Sequence, residues 1–237
     1  GRVVIVYNGE IYNFRELRAE LQSEGIVFRG SSDTEVLLNL YIARGEEMLS
    51  SLNGIFAFAI WDQDKQELFI ARDGLGVKPL YYAIEGTRFA FASEIKGLLQ
   101  LIPEAKALDV EAIHRYLTFL WCPGTGTPLK AVRKLLPGEA IVLGPTGIKK
   151  KWNWYELPVF RRTGPALECG EAVAGTREHL RTAVRRQMIA DVPVGAFLSG
   201  GLDSSAVVAF AREVNPDIQC YTIETTGGAE DGMADDL

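Results

Sequence analysis

The feature of this sequence that most constrains its fold is the octet at residues 198–205, which reads LSGGLDSS. The apolar run Val192–Leu198 leads into it and predicts a buried strand, and the run Ala206–Ala211 beyond it predicts a helix. A strand, a Gly/Ser turn and a helix N-terminus present backbone N–H groups and the positive end of a helix dipole to one point. The octet therefore predicts a binding site for phosphate or pyrophosphate.

The residue types within the octet suit such a site. Its glycines let the backbone approach an anion closely, and the hydroxyls of Ser199, Ser204 and Ser205 add donors. No Gly-Lys-Ser/Thr sequence follows, which argues against the phosphate loop of kinases and GTPases. A purely structural interpretation stays open, in which the turn only starts a helix and Asp203 or Ser204 caps it.

A second motif lies near the start of the chain, where residues 3–13 read VVIVYNGEIYN. The β-branched run predicts a strand, and Asn8-Gly9 predicts a turn after it. A plain β-turn is one interpretation of this pair. The other is an oxyanion hole, in which the Asn8 amide and the Gly9 N–H bind an oxygen that becomes negative during acyl transfer.

Both motifs resemble segments of the glutamine-hydrolysing asparagine synthetases. The string NGEIYN is similar to their glutaminase domain, and SGGLDSS is similar to the loop of enzymes that cleave ATP between its α and β phosphates and adenylate a carboxylate. Further similar segments follow in the order expected for that family: GSSDTEV at 30–36, NGIFAFAIWD at 53–62, ARD at 71–73, GVKPLYY at 76–82 and ASEIK at 92–96. The resemblance covers nearly the whole chain and implies a two-domain amidotransferase.

The resemblance implies a role for each matching residue. Asn8 and Gly9 would form the oxyanion hole, and Glu10 and Asp33 would hold the amino-acid end of glutamine, with Asp33 pairing with the α-ammonium. The residues implied for ATP binding are Leu198, Ser199, Gly200, Gly201, Asp203, Ser204 and Ser205. Asp203 would also hold Mg²⁺, which prefers carboxylate and phosphate oxygens, and Leu198 would lie against the adenosine. A structural interpretation of Asp33 competes, because residues 32–35 fit a capping box that opens a helix at 34–44.

The implied activity is that of a cytoplasmic ligase of asparagine biosynthesis. Glutamine would supply ammonia to an aspartyl-AMP intermediate, giving asparagine, glutamate, AMP and pyrophosphate. Two alternatives stay open: the same chemistry on another carboxylate acceptor, such as a sugar or a peptide, and a non-catalytic module that keeps the fold. The expected partners are glutamine, ATP and aspartate, with no nucleic acid and no membrane, and a homodimer is left open.

The sequence departs from the family pattern at its first residues. The family's glutaminase nucleophile is a cysteine at the mature N-terminus, whereas this sequence begins GRV inside a predicted strand. We therefore expect a fragment cut at both ends, lacking the N-terminal strand and the nucleophile and inactive as a glutaminase by itself. The widely spaced Cys122, Cys169 and Cys220 argue against a disulfide framework and a zinc site and fit a reducing cytosol. Cys122 is expected to be an inert, buried or half-buried thiol.

Composition and charge fit a globular enzyme. The chain of 237 residues is 47% hydrophobic and 24% charged, with a formal net charge of −6, and no apolar run approaches the ~20 residues that span a bilayer. The basic stretch at 149–151, with Trp152, Trp154 and Tyr155, could form a stacking surface for single-stranded nucleic acid. The acidic balance favours a solvated linker or strand edge instead.

The order of predicted elements divides the chain. Residues 1–155 predict helices near 13–24, 34–44, 94–101 and 110–120, hairpins at 55–61/68–72 and 80–84/88–92, and a strand at 140–143. Hairpins covered by helices indicate an α+β fold, which agrees with the αββα sandwich of the N-terminal nucleophile hydrolases that the resemblance implies.

A change of pattern follows. Residues 156–170 contain Pro and Gly without periodicity and predict a linker. Residues 171–237 predict a helix near 171–190, a strand at 192–198, a helix at 203–214 and a strand at 219–224. This order predicts a parallel βαβ unit, which would begin the α/β ATP-pyrophosphatase domain.

Overall fold

The computed structural model describes residues 1–158 and 167–223. The chain forms two compact units, residues 1–160 and 161–237. Residues 159–166 of the predicted linker lie outside the described part, and the predicted limits of the linker and of both domains stay predictions.

The first unit contains two antiparallel sheets and four α-helices among its described residues. In chain order its elements are β1 (Val3–Ile11), α1 (Phe14–Ser23), α2 (Asp33–Arg44), a 3₁₀ helix (Gly45–Ser51), β2 (Gly54–Asp62), β3 (Glu67–Arg72), β4 (Tyr81–Glu85), β5 (Arg88–Ala92), α3 (Ile95–Leu101), α4 (Val110–Phe119), β6 (Val132–Lys134), β7 (Glu139–Gly144) and β8 (Gly147–Asn153). The predicted helices, both hairpins and the strand at 140–143 are confirmed, with ends shifted by one or two residues.

Three hydrophobic cores separate four layers. Strand β2 explains the arrangement, because its side chains alternate between the two faces of the sheet β1-β2-β3-β7-β8. Phe56, Phe58 and Ile60 pack under α1 and α2, whereas Ala57 and Ala59 meet the second sheet, β5-β4-β6. A third core joins that second sheet to α3. The predicted αββα sandwich is thereby confirmed.

The predicted turn at Asn8-Gly9 is wrong, because β1 continues through both residues to Ile11 and pairs with β2 along its whole length. Gly9 is needed for close approach instead. A Cβ atom on Gly9 would lie 2.2 Å from the carbonyl oxygen of Ile55, and one on Gly54 would lie 2.2 Å from that of Glu10. The two glycines let β1 and β2 come together where a side chain would collide with backbone.

The basic stretch forms β8, an edge strand of the five-stranded sheet, as the strand-edge interpretation predicts. Its lysines form ion pairs with acidic residues of the same unit. The Trp152 ring stacks on Phe69 at 6.1 Å between centroids, and Trp154 stacks on Phe56 at 5.8 Å. The stacking-surface interpretation is wrong, because these rings pack against the core.

The second unit contains α5 (Cys169–Gln187), β9 (Gly195–Phe197), α6 (Leu202–Val214) and β10 (Gln219–Tyr221) among its described residues. Strands β9 and β10 are parallel and are joined through α6, so the predicted βαβ unit is confirmed. The prediction of a long buried strand at 192–198 is wrong: β9 has three residues, and Phe197 is 82% exposed. Within the described residues β10 alone pairs with β9, so neither outer edge of this two-stranded sheet has a neighbouring strand. Glu224, the predicted end of the second strand, lies outside the described residues.

None of the helices in the described part of the chain has the length and apolarity required to cross a membrane.

Candidate active site

The first group of candidate residues lies at the end of β1, which is an edge strand of its sheet. The Tyr12 N–H donates to the Asn53 carbonyl, and the Arg2 carbonyl accepts from the Gln63 N–H. Even-numbered residues of β1 therefore bond to β2, and the N–H groups of odd-numbered residues point to the free edge. The Gly9 N–H consequently faces away from β2, where a bound oxygen could reach it.

Asn8 and Glu10 are even-numbered residues of β1, so their backbone N–H groups point toward β2. Both side chains are exposed on the same face of β1, because alternate residues of a strand share a face. The Asn8 Nδ2 donates to the Ser93 Oγ at 3.5 Å, and Ser93 directly follows β5 of the second sheet. The Asn8 side chain thus points toward the second sheet, and Gly9, whose N–H faces the free edge, is the next residue of the strand.

Asp33 is the first residue of α2, directly after the N-cap Ser32. The Ser32 Oγ accepts the Glu35 N–H at 3.3 Å, which confirms one half of the predicted capping box. The other half differs: the Glu35 carboxylate accepts the N–H groups of Arg29 and Gly30, each at 2.7 Å, instead of that of Ser32. These two backbone hydrogen bonds lower the pKa of Glu35. The Ser32 hydroxyl therefore caps α2, which leaves the Asp33 carboxylate available for other contacts.

The Asp33 carboxylate turns toward the free edge of β1. Its Oδ2 accepts the Tyr7 hydroxyl at 2.8 Å and the Ile11 N–H at 3.0 Å, and its Oδ1 accepts the Thr34 hydroxyl at 3.3 Å. Burial and the neighbouring Asp33 raise the pKa of Tyr7 far above its ordinary value, since both disfavour a phenolate. The structure therefore brings Gly9 and Asp33 to the same edge of one strand.

The second group of candidate residues forms the loop between β9 and α6. Gly201 is the N-cap of α6, and no side chain caps this helix, so the interpretation of Asp203 or Ser204 as the cap is wrong. The Ser204 hydroxyl instead closes the loop, because it donates to the Gly201 carbonyl at 3.1 Å and accepts the Ser199 N–H at 3.3 Å. Gly200 has a φ of 82°, a left-handed conformation that favours glycine.

The loop leaves the start of α6 open to an anion. The first N–H groups of a helix have no partner within it, and here they lie at the carboxyl end of a parallel strand, where open α/β sheets bind ligands. Asp203 and Ser205 are exposed in the first turn, and the half-buried Leu198 is tied to β10 through its N–H, which donates to the Tyr221 carbonyl at 2.8 Å. These donors and the Asp203 carboxylate suit a phosphate group with its Mg²⁺.

Comparison with known proteins identifies the family. The sequence model of the glutamine amidotransferase domain matches residues 1–155, and that of asparagine synthase matches residues 175–237. The chain belongs to the glutamine amidotransferase domain family.

Several curated relatives are similar over most of the chain. It is 41% identical to glutamine-hydrolyzing asparagine synthetase 3 of Bacillus subtilis, covering 93% of this chain and 36% of the relative. It is 39% identical to a putative glutamine-hydrolyzing asparagine synthetase 2 of Methanocaldococcus jannaschii, covering 89% and 40%. It is 38% identical to a putative glutamine-hydrolyzing asparagine synthetase of Mycobacterium tuberculosis H37Rv, covering 99% and 36%. The chain thus spans little more than a third of the length of these relatives.

Asp73 and Arg72 hold the loop after β3 in place, a role that the sequence did not predict for either residue. Asp73 is buried and accepts four backbone N–H groups, those of Phe56, Leu75, Val77 and Lys78. Since Phe56 lies opposite Gly9 in the sheet, Asp73 joins the loop after β3 to the strand beside the candidate oxyanion hole.

Arg72 holds the same loop from its other side. Its guanidinium donates to the carbonyls of Gly76, Lys78 and Leu135 at 2.6–2.7 Å, and burial lowers its pKa. The sequence signal that could have pointed to Arg72 and Asp73 is the ARD segment at 71–73. It is similar to a segment of the family, but the residue types alone do not indicate a structural role.

The cysteines contribute nothing to either group. Cys122 is half-buried, as expected, and its thiol lies 3.5 Å from the Ala112 carbonyl oxygen. Cys169 and Cys220 are exposed, and all three are free thiols. Within the described ranges, no three residues among His, Cys, Asp and Glu cluster as a metal site.

Proposed function

We propose that this chain works in a glutamine-hydrolysing, ATP-dependent asparagine synthetase. The observation that carries the proposal is the carboxyl-terminal half of β1, which supplies the Asn8 amide and the outward Gly9 N–H and binds the Asp33 carboxylate of α2 through Ile11. The matches to the amidotransferase and asparagine synthase families, in that order along the chain, support the same conclusion.

In the first unit, the residues at the β1 edge bind glutamine for hydrolysis. The Asn8 Nδ2 and the Gly9 N–H stabilise the oxyanion that forms when the side-chain amide is attacked. Loss of one such donor lowers kcat by roughly 10²–10³-fold. Asp33 pairs with the α-ammonium, and Glu10, on the exposed face beside Asn8, binds at the amino-acid end of the substrate.

In the second unit, the octet at 198–205 binds ATP. The N–H groups at the start of α6 and the hydroxyls of Ser199 and Ser205 hold the phosphates, while Leu198 contacts the adenosine. Asp203 would hold Mg²⁺, which would neutralise negative charge on the pyrophosphate leaving group when the carboxylate is adenylated. The acceptor is aspartate, which is adenylated to aspartyl-AMP and captured by ammonia, with release of AMP and pyrophosphate.

The test uses a full-length protein that contains this chain, supplied with aspartate, ATP, Mg²⁺ and either glutamine or ammonia. We expect asparagine, AMP and pyrophosphate from both nitrogen sources. Asn8→Ala should reduce the glutamine-dependent reaction by roughly 10²-fold or more and leave the ammonia-dependent reaction unchanged.

Two results would contradict the proposal. Pyrophosphate release with another carboxylate acceptor but not with aspartate would reassign the substrate. No turnover with any acceptor would favour a non-catalytic module. A cytoplasmic location is a further part of the proposal, which localisation in cells would test; the homodimer that the sequence left open would be tested by sedimentation of the same protein.

A further inference from the structure

We infer that Tyr7 is a positioning residue that holds the Asp33 carboxylate for the α-ammonium of the substrate, and so sets the selectivity for amides that carry an amino group. The inference rests on the proposed function, since it assigns to Tyr7 a part in the same glutamine site. Tyr7 itself does not touch the reacting amide.

The hydrogen bonds at Asp33 are divided unequally between its two oxygens. Oδ2 accepts two strong donors, the Tyr7 hydroxyl at 2.8 Å and the Ile11 N–H at 3.0 Å. Oδ1 accepts the neighbouring Thr34 hydroxyl at 3.3 Å. A carboxylate has about four lone-pair positions, so anchoring through Oδ2 fixes its plane and leaves capacity on Oδ1 for a cation.

The position of Tyr7 in β1 explains why it can do this. Its side chain lies on the inner face of the strand and packs with the core beneath α1 and α2, which places its hydroxyl at the start of α2. The two oxyanion donors, Asn8 and Gly9, follow it directly in the same strand. One strand thereby sets both ends of the glutamine site, the carbonyl oxygen at 8–9 and the ammonium partner through Tyr7 and Ile11.

A second tyrosine offers a matched control. The Tyr41 hydroxyl donates to the buried Asp62 Oδ2 at 3.2 Å, and Asp62 ends β2 at the opposite end of the β1–β2 pair from Gly9. Both tyrosines lie in the same core and bond to a carboxylate. The Tyr41 hydroxyl also accepts from Lys65 Nζ at 3.4 Å, so Tyr41→Phe removes at least as many hydrogen bonds as Tyr7→Phe and measures what such a loss does to the fold away from the glutamine site.

The experiment measures hydrolysis of L-glutamine and of glutaramate, which has the same amide and carboxylate but no α-amino group, by the full-length protein. Tyr7→Phe should lower the ratio of kcat/KM for glutamine over glutaramate about tenfold, mostly through KM for glutamine, because one hydrogen bond to a charged group is lost. Hydrolysis of glutaramate and ammonia-dependent synthesis should not change. Tyr41→Phe should leave the ratio at the wild-type value.

A double-mutant cycle with Asp33→Asn distinguishes positioning from a separate effect. If Tyr7 acts through Asp33, Tyr7→Phe should lower the ratio no further in the Asp33→Asn background. An unchanged ratio in Tyr7→Phe, an equal loss with both amides, or additive effects in the cycle would overturn the inference while glutamine hydrolysis by the wild type upholds the proposed function. A wild-type protein that does not hydrolyse glutamine would instead overturn the proposed function.

Discussion

The two units hold their candidate binding groups in different ways. In the first unit, Gly9 and Asp33 lie on a strand and a helix that border one of three hydrophobic cores. In the second unit, the groups lie on a loop, and the buried hydrophobic residues among those described are Val184, Val208 and Ala211. Substitutions in the first site should therefore change stability and activity together, whereas those in the second should separate the two.

Two glycines show this difference most directly. A Cβ atom on Gly9 would lie 2.2 Å from a carbonyl oxygen of the neighbouring strand, whereas one on Gly201 would meet the Ser199 Oγ at an ordinary 3.5 Å. Gly201 also has a φ of −70°, which any residue adopts. Packing demands glycine at position 9, and only a bound ligand would demand it at 201.

The largest effect is expected for Gly201→Val. Its side chain would occupy the space in which phosphate approaches the start of α6, so AMP formation by the full-length protein should be abolished. Glutamine hydrolysis and the unfolding temperature should be unchanged. Gly175→Val is the control, because a Cβ atom there meets nothing within 4 Å and the residue lies in α5, outside the loop. Normal AMP formation in Gly201→Val would show that the octet is only a strand–helix connection.

The next effect concerns stability of the first unit. Asp73→Ala removes a buried acceptor and leaves four backbone N–H groups without it, so the free energy of unfolding should fall by about 3–5 kcal/mol. Denaturant unfolding would measure this loss of stability. Glutamine hydrolysis by the same variant should also fall. Asp203→Ala, at an exposed position of α6, should alter the free energy of unfolding by less than about 0.5 kcal/mol. Equal losses of stability in Asp73→Ala and Asp203→Ala would contradict the claim that only the first site is coupled to the stability of its unit.

A smaller effect is expected for Ser204→Ala. The hydroxyl closes the phosphate loop through Ser199 and Gly201, so its loss should loosen the loop without removing the backbone donors. The KM for ATP should rise about tenfold, equivalent to about 1.4 kcal/mol, with kcat largely kept. A loss of activity as complete as in Gly201→Val would show that Ser204 takes part in the chemistry itself.

The smallest effect is a loss of stability of the first unit at high pH. Burial raises the pKa values of Tyr7, Tyr12 and Tyr41, so above about pH 10 the unfolded chain releases these protons before the folded chain does. The free energy of unfolding should be insensitive to these groups below pH 10 and should fall above it. Denaturant titrations from pH 8 to 11 should show a shallower fall in Tyr7→Phe, and equal slopes would contradict the contribution of Tyr7.

Local patterns predicted most elements of the first unit because each pattern depends on residues close in the chain. The hairpins follow from alternating apolar residues around polar turns, and the start of α2 follows from Ser32 and Glu35. The prediction of a turn at Asn8-Gly9 failed because distant residues decide the backbone there. Asn8-Gly9 has turn propensity, but β1 extends through it because β2 pairs with it and Gly54 allows the close contact.

The supporting residues of the site could not be predicted for the same reason. Arg72 finds one of its three acceptors at Leu135, and Asp73 joins its loop to Phe56 in another strand. Neither partner is visible in a local pattern. The packing of Trp152 was likewise outside the reach of local pattern, since its contact with Phe69 exists only after β3, β7 and β8 align.

The sequence by itself determined the order of elements, the family and the residue types of both candidate sites, because these depend on local spacing and on recognisable motifs. The tertiary structure decided which groups meet. The pairing of β1 with β2 directs the Gly9 N–H to a free edge. Packing of α2 against β1 lets the Asp33 carboxylate accept hydrogen bonds from Tyr7 and Ile11, which are 26 and 22 residues away in the chain. Such convergence requires packing of separate elements, which no local stretch of sequence contains.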